Sequence, residues 1–241
     1  MNKRILLISL LTSGGLMLGG AAQAQMNLKH FGIGGGDSSA QGGIAGAVGN
    51  ALGGGGSNSA SAGGVAQLLQ TYVGANQQVL SGQSSLASAM GMSSAAGQAQ
   101  QAAGLLSGGT PSVSQLTQMG STQQSLSQKL TDAFASHASG SASATPVNKQ
   151  AFTEGLTSLG KGVSQYSSLQ SGLGSIGQMS PASLLQSGLN PQTAQSASYI
   201  AQSAPGQLQS LMSTLSSAVQ FASSNGISVP SIATAALKGG M

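Results

Sequence analysis

Apolar residues recur at helical spacing in several separate stretches of this chain, and the most continuous of them covers 146–179. Phe152, Leu156, Leu159, Val163, Tyr166, Leu169, Leu173 and Ile176 follow one another at intervals of three or four, which makes one stripe along a helix. A stripe of that length needs a partner to bury it. Thr145-Pro146 ahead of it offers a capping hydroxyl and a proline whose missing N–H costs nothing in a first turn, so the spacing predicts a helix from Pro146. The opposite face carries Ser, Thr, Gln and Gly, with only Lys149, Glu154 and Lys161 charged.

A second strong helix is predicted from Val65, Leu68, Leu69, Tyr72, Val73, Asn76, Val79 and Leu80, with Gly82 as its stop. Leu86, Met90 and Met92 make a short piece around Gly91, and 95–106 an alanine and glutamine helix that closes at Gly108-Gly109. Thr110-Pro111 opens the next one, with Val113, Leu116, Met119, Leu126, Leu130 and Phe134 inward, and 136–145 reads as a Ser/Ala/Gly linker. Ser180-Pro181 and Asn190-Pro191 repeat the cap-plus-proline signal. Ala194, Ala197, Ile200 and Ala201 give a small-residue helix that stops before Pro205, and Pro205-Gly206 starts a last long one with Leu208, Leu211, Met212, Leu215, Val219 and Ala222 inward. Asn225-Gly226 ends it as a left-handed cap, Ile227 folding back on the last turn. The stretch 227–230 is extended and 232–237 adds a weak turn. No segment alternates at period two, so no strand is expected.

The expected fold is therefore all-α, a small-residue-rich bundle of about five to seven helices over 65–241, after a disordered Gly-rich arm over 25–64. In that arm Gly42/Gly46 and Gly49/Gly53 have the spacing that lets helices approach in membranes, as in glycine-zipper stretches of bacterial envelope proteins. Its apolar part, 44–52, is too short to cross a bilayer, and a flexible linker is the plainer reading. Residues 1–24 read as a signal peptide: Asn2-Lys3-Arg4, an apolar run from Ile5 to Leu18, then Ala22-Gln23-Ala24 before the cleavage point.

Composition sharpens this picture. Charged residues make up 4% of the chain, where a soluble domain commonly has about a quarter. After Ala24 five lysines (Lys29, Lys129, Lys149, Lys161, Lys238) face three acids (Asp37, Asp132, Glu154), with no arginine. Five dispersed lysines make no patch able to neutralise several phosphates, so nucleic acid is not an expected partner. There is no cysteine, hence no disulfide and no lipid-anchored cysteine after the signal, and stability must come from packing.

The order of motifs in the C-terminal half carries a resemblance. Ala-Phe-x-x-Gly-Leu-x-x-Leu-Gly-x-Gly-Val-x-x-Tyr (Ala151 to Tyr166), Ala-x-x-Ala-Pro-Gly (Ala201 to Gly206) and Leu-x-x-Ala-Val-x-Phe-Ala-x-x-Asn-Gly-Ile-x-Val-Pro (Leu215 to Pro230) follow in turn. This resembles an uncharacterised group of small exported Gram-negative envelope proteins with a C-terminal helical domain. The resemblance implies a shared helical fold and an envelope location, and transfers no catalytic residue.

Reactive constellations are sparse. His30 and His137 have no metal-ligand spacing, and His137 falls where a helix end or solvent accounts for it. Asp132 and Glu154 could make a carboxylate pair for glycoside hydrolysis, but nothing in the sequence brings them together. Ser158-Leu-Gly-Lys161 matches SxxK, one turn apart on a helix, yet a chain this rich in serine yields such a match by chance, and the SDN and KTG that accompany it in penicillin-binding proteins are absent. Gly32, Gly34 and Gly36 lack the strand and helix of a phosphate cradle. The aromatics Tyr72, Phe134, Phe152, Tyr166, Tyr199 and Phe221, one to each helix, are expected as core anchors, with the tyrosine hydroxyls needing partners. Met90, Met92, Met119, Met179 and Met212 are core filler or, less simply, the lining of an apolar ligand site.

No catalytic, cofactor-binding or metal-ligating residue is assigned, and no cofactor. The expectation is an exported, non-enzymatic helical protein, periplasmic or secreted, acting as a binding or structural component of the envelope. Its partner would be an unknown envelope protein or a second copy of itself. The alternatives are a membrane-active or glycine-zipper-assembled protein touching lipid through 42–56, and a carrier of a small apolar ligand.

Overall fold

In a computed structural model, the structure describes residues 62–108, 110–139 and 146–239. The expectations for the signal peptide, the Gly-rich arm with 42–56, His30 and Thr145 fall outside them. Among the described residues every regular element is a helix: α1 Ala62–Ala89, α2 Ser93–Gly104, α3 Val113–Ala138, α4 Lys149–Gly177, α5 Pro181–Gln186, α6 Pro191–Ser224 and α7 Ser231–Gly239. This is the all-α bundle the spacing implies. α1, α3, α4 and α6 are its four long members; α1 lies along α4, α4 along α6, α6 along α3, and α3 touches α1 in turn. α2 packs on α1 and α3, α5 on α6, and α7 chiefly on α4.

The stripe of α4 is the centre of this arrangement, and all eight of its residues are buried. What lets α1 come so close to it is glycine. A Cβ on Gly82 would sit 2.6 Å from the Leu159 backbone nitrogen and 2.9 Å from the Gly155 carbonyl oxygen; one on Gly162 would sit 2.5 Å from Val79 Cγ2 and 3.0 Å from the Ala75 oxygen. Backbone therefore meets backbone at this crossing. Gly82 is not the stop the sequence suggested: α1 runs through it to Ala89, and Leu86 is a core residue of the same helix rather than of a separate piece. The turn is made instead at Gly91, with φ 75°.

Two helix starts also shift. α3 is capped by Ser112, whose hydroxyl accepts from Gln115 N while Gln115 Oε1 accepts from Ser112 N, a reciprocal box that Thr110-Pro111 cannot form. α4 is capped by Asn148, whose side chain accepts from Ala151 N and whose own N–H donates to Ala89 O, so Pro146 stays in an extended segment tied to the end of α1. The Ser180 and Asn190 caps stand as expected, accepting from Ser183 N and Thr193 N with proline next in line.

The largest departure is at Pro205. α6 passes straight through it, because Ala197, Ile200, Ala204, Leu208, Leu211 and Leu215 keep one buried stripe in phase across the proline, whose ring faces solvent. The two helices expected there are one, so Tyr199 and Phe221 share α6; Phe152 and Tyr166 likewise share α4, and the aromatics are not one to each helix. Gly226 (φ 61°) and the bond from Ile227 N to Ala222 O close α6 as foreseen, and the weak turn after Pro230 is the nine-residue α7.

Candidate functional site

Asn76 of α1 falls one turn after Tyr72 on the buried face of a helix, and a buried carboxamide must find partners. Its nitrogen donates to Tyr72 O at 2.8 Å; its oxygen accepts from the Tyr166 hydroxyl of α4 at 2.7 Å and from Gln123 Nε2 of α3 at 3.0 Å. The Tyr72 hydroxyl donates to Gln207 Oε1 of α6 at 2.8 Å, and Tyr166 Oη lies 3.0 Å from the same oxygen, so its single proton serves two acceptors. The two tyrosine rings meet edge to face, centroids 5.4 Å apart. A second branch runs from Gln83 Nε2 to Gln123 O and to Ser127 Oγ. All four long helices are thus joined at one level by uncharged groups. Burial pushes the Tyr72 phenol above its ordinary pKa of 10.0 despite hydrogen bonds to the ionised form, and burial and the neighbouring Tyr72 hold Tyr166 well above it.

Above this network a cleft of about 430 Å³ opens between α3 and α6. Its α3 wall includes Thr117, Ser121, Gln123 and Gln124, and its α6 wall Tyr199, Ser203, Gln207 and Ser210. None of its lining side chains is charged at neutral pH. Gly120 forms part of the floor, where an added Cβ would stand 3.0 Å from Gln207 Nε2. The Ser203 hydroxyl is buried with no hydrogen-bond partner.

The residues weighed for chemistry do not converge on this cleft. Ser158 is half-buried and Lys161 exposed, and among the described residues no hydrogen bond joins them. Asp132 lies in a surface groove between α3 and α6 with Gln128 and Thr131, while exposed Glu154 accepts from Gln150 of its own helix. His137 is in the last turn of α3 but is half-buried, its ring edge-on to Phe221 at 5.3 Å and its Nε2 without a partner. Among the described residues no three His, Cys, Asp or Glu side chains gather where they could hold a metal. Phe134, Phe152 and Phe221 stack as a core cluster, with neighbouring centroids 5.2 to 5.7 Å apart. Of the methionines, Met119 is buried and Met90, Met92, Met179 and Met212 pack against the core from its edge.

Gln83, Gln123, Ser203 and Gln207 went unremarked in the sequence. A signal existed for two of them. Gln123 stands where the stripe Met119, Leu126, Leu130 calls for an apolar residue, and Gln83 likewise between Val79 and Leu86. No family model, curated protein or solved structure matches this chain.

Proposed function

We propose that the protein is exported and acts without catalysis, as a binding or structural component of the cell envelope whose partner is an envelope protein or a second copy of itself. The observation that carries this reading is the α3–α6 cleft: its walls are hydroxyls and carboxamides, suited to hold a partner by neutral hydrogen bonds rather than to move protons or attack a carbonyl. The basic, apolar and small-x-small order of residues 2–24, and the motif order from Ala151 to Pro230, support export. Fractionation of cells producing a C-terminally tagged chain tests it. The processed form in the periplasm or medium is expected, and an unprocessed cytoplasmic protein, or a hydrolase activity abolished by Ser158→Ala, Glu154→Gln or His137→Ala, contradicts it.

One observation favours a second reading, a carrier of a small apolar ligand. A pocket of about 150 Å³ lies where Tyr166 and Leu173 of α4 meet Ala201, Ala204, Pro205 and Leu208 of α6. No methionine lines it, so the residues that first suggested such a ligand are not those that would hold it. Native mass spectrometry of protein taken from its own cells should show the added mass; bare protein alone removes this reading. No helix among the described residues is long and apolar enough to cross a membrane, and the lipid-contact alternative draws nothing from them.

A further inference from the structure

The cleft between α3 and α6 has the chemistry of a particular ligand class. Its volume of about 430 Å³ lies in the range of ligand clefts, roughly 300 to 1,000 Å³. A charged ligand finds no opposite charge among its lining side chains. An apolar ligand would offer no partner to the hydroxyls and carboxamides of the lining, Gln207 and Tyr199 among them.

Two of those groups are set apart by the structure. Gln207 is held with its oxygen turned inward, because both buried tyrosine hydroxyls converge on Oε1. Its nitrogen is thereby left beside Gly120, a position on the floor with no side chain. Ser203, one turn earlier on α6, lies in the same wall. Elsewhere on α6 the hydroxyls of Thr214, Ser223 and Ser224 donate to carbonyls of their own helix, four residues back; Ser203 Oγ is buried and has no partner. A fixed N–H donor and an uncommitted hydroxyl therefore stand one turn apart, with the half-buried Tyr199 one turn further along.

We propose that this cleft binds a neutral, hydroxyl-rich ligand of one or two sugar rings, anchored by Gln207 Nε2 and Ser203 Oγ. Sugar hydroxyls both donate and accept, which matches a wall of Ser, Thr and Gln, and the C–H face of a pyranose suits Tyr199 and Leu211. The inference rests on the reading of the chain as a binding protein, and deepens it by naming the ligand class.

Titration of the processed protein with N,N′-diacetylchitobiose and, separately, with maltose, followed through the glutamine side-chain amide and tyrosine ring signals in NMR spectra, tests it in solution, independently of where cells place the protein. Saturable shifts of Gln207 and Tyr199 with at least one of the two are expected. Ser203→Ala, which disturbs no hydrogen bond of the fold, should weaken binding about tenfold, and Gly120→Ala, which crowds the Gln207 nitrogen, should weaken it as well. No saturable shift with either sugar overturns the proposal, as does Ser203→Ala binding as tightly as the unaltered chain. Export with no sugar binding would leave the envelope reading standing and this one refuted; sugar binding by a protein retained in the cytoplasm would do the reverse.

Discussion

The phenol of Tyr166 and the carboxamide oxygen of Asn76, ninety residues apart in the chain, meet at 2.7 Å in the interior of the bundle. Neither is charged, both are buried, and each holds a further partner on another helix. A buried hydrogen bond adds modestly to stability, but removing one partner strands the others. Asn76→Ala leaves Gln123 Nε2 without an acceptor and the Tyr166 proton with Gln207 alone. Denaturant unfolding should show a loss of about 2–4 kcal/mol, whereas Tyr166→Phe, which leaves Asn76 paired with Gln123 and Gln207 paired with Tyr72, should lose about 1 kcal/mol. A larger loss for Tyr166→Phe than for Asn76→Ala would break the assigned pattern.

The same two tyrosines set a pH dependence at the alkaline end. Their folded-state pKa values lie above the ordinary 10.0, Tyr166 the further, because burial penalises the phenolate. The folded chain therefore holds protons that the unfolded chain releases. The stabilisation is complete below about pH 10 and declines as pH rises from there towards the folded values. Unfolding midpoints measured from pH 8 upward should stay level and then fall, with a shallower fall in Tyr166→Phe. Tyrosinate absorbance should show Tyr72 and Tyr166 ionising only above the ordinary tyrosine range.

Glycines that look alike in sequence should respond oppositely. At Gly82 a methyl group meets the backbone of α4 at 2.6 Å, so Gly82→Ala must push α1 and α4 apart and should destabilise by about 1–3 kcal/mol, even after alanine's better helix propensity is counted. At Gly74 and Gly97 nothing lies within 4 Å of the added carbon, and alanine there should stabilise by up to about 1 kcal/mol. Thermal melts of the three variants decide the matter; a Gly82→Ala chain as stable as the unaltered one, or more stable, would contradict the close crossing.

Pro205 sits in the interior of α6, denies Ala201 O its helical N–H donor, and faces solvent. Pro205→Ala should restore the ladder without opening the core and raise stability by about 1–3 kcal/mol. A destabilised variant would mean that the proline ring contributes packing in the small pocket beside Leu173.

What the sequence made legible divides along physical lines. The stripe from Phe152 to Ile176 was readable because periodicity is a property of one helix, and Asn225-Gly226 because a left-handed cap is a local requirement. Gly82 misled because glycine marks both a helix end and a close approach, and only the partner backbone of Leu159 distinguishes them. Pro205 misled for a related reason: a local rule against proline was overridden by tertiary burial on both sides of it. The cleft was out of reach altogether. It depends on Gln207, 135 residues from Tyr72, and on a missing side chain at Gly120, and neither has a signature in local spacing.

The glycine-mediated pairing of α1 with α4, tied by the Asn76 and Tyr166 network, should be the most stable part of the bundle. Native-state amide hydrogen exchange on the protein measures this residue by residue. The slowest amides should lie between residues 76 and 86 of α1 and between 156 and 169 of α4, exchanging only with global unfolding, while α7 opens sooner. Exchange in those two segments as fast as in α7 would refute that order of stability.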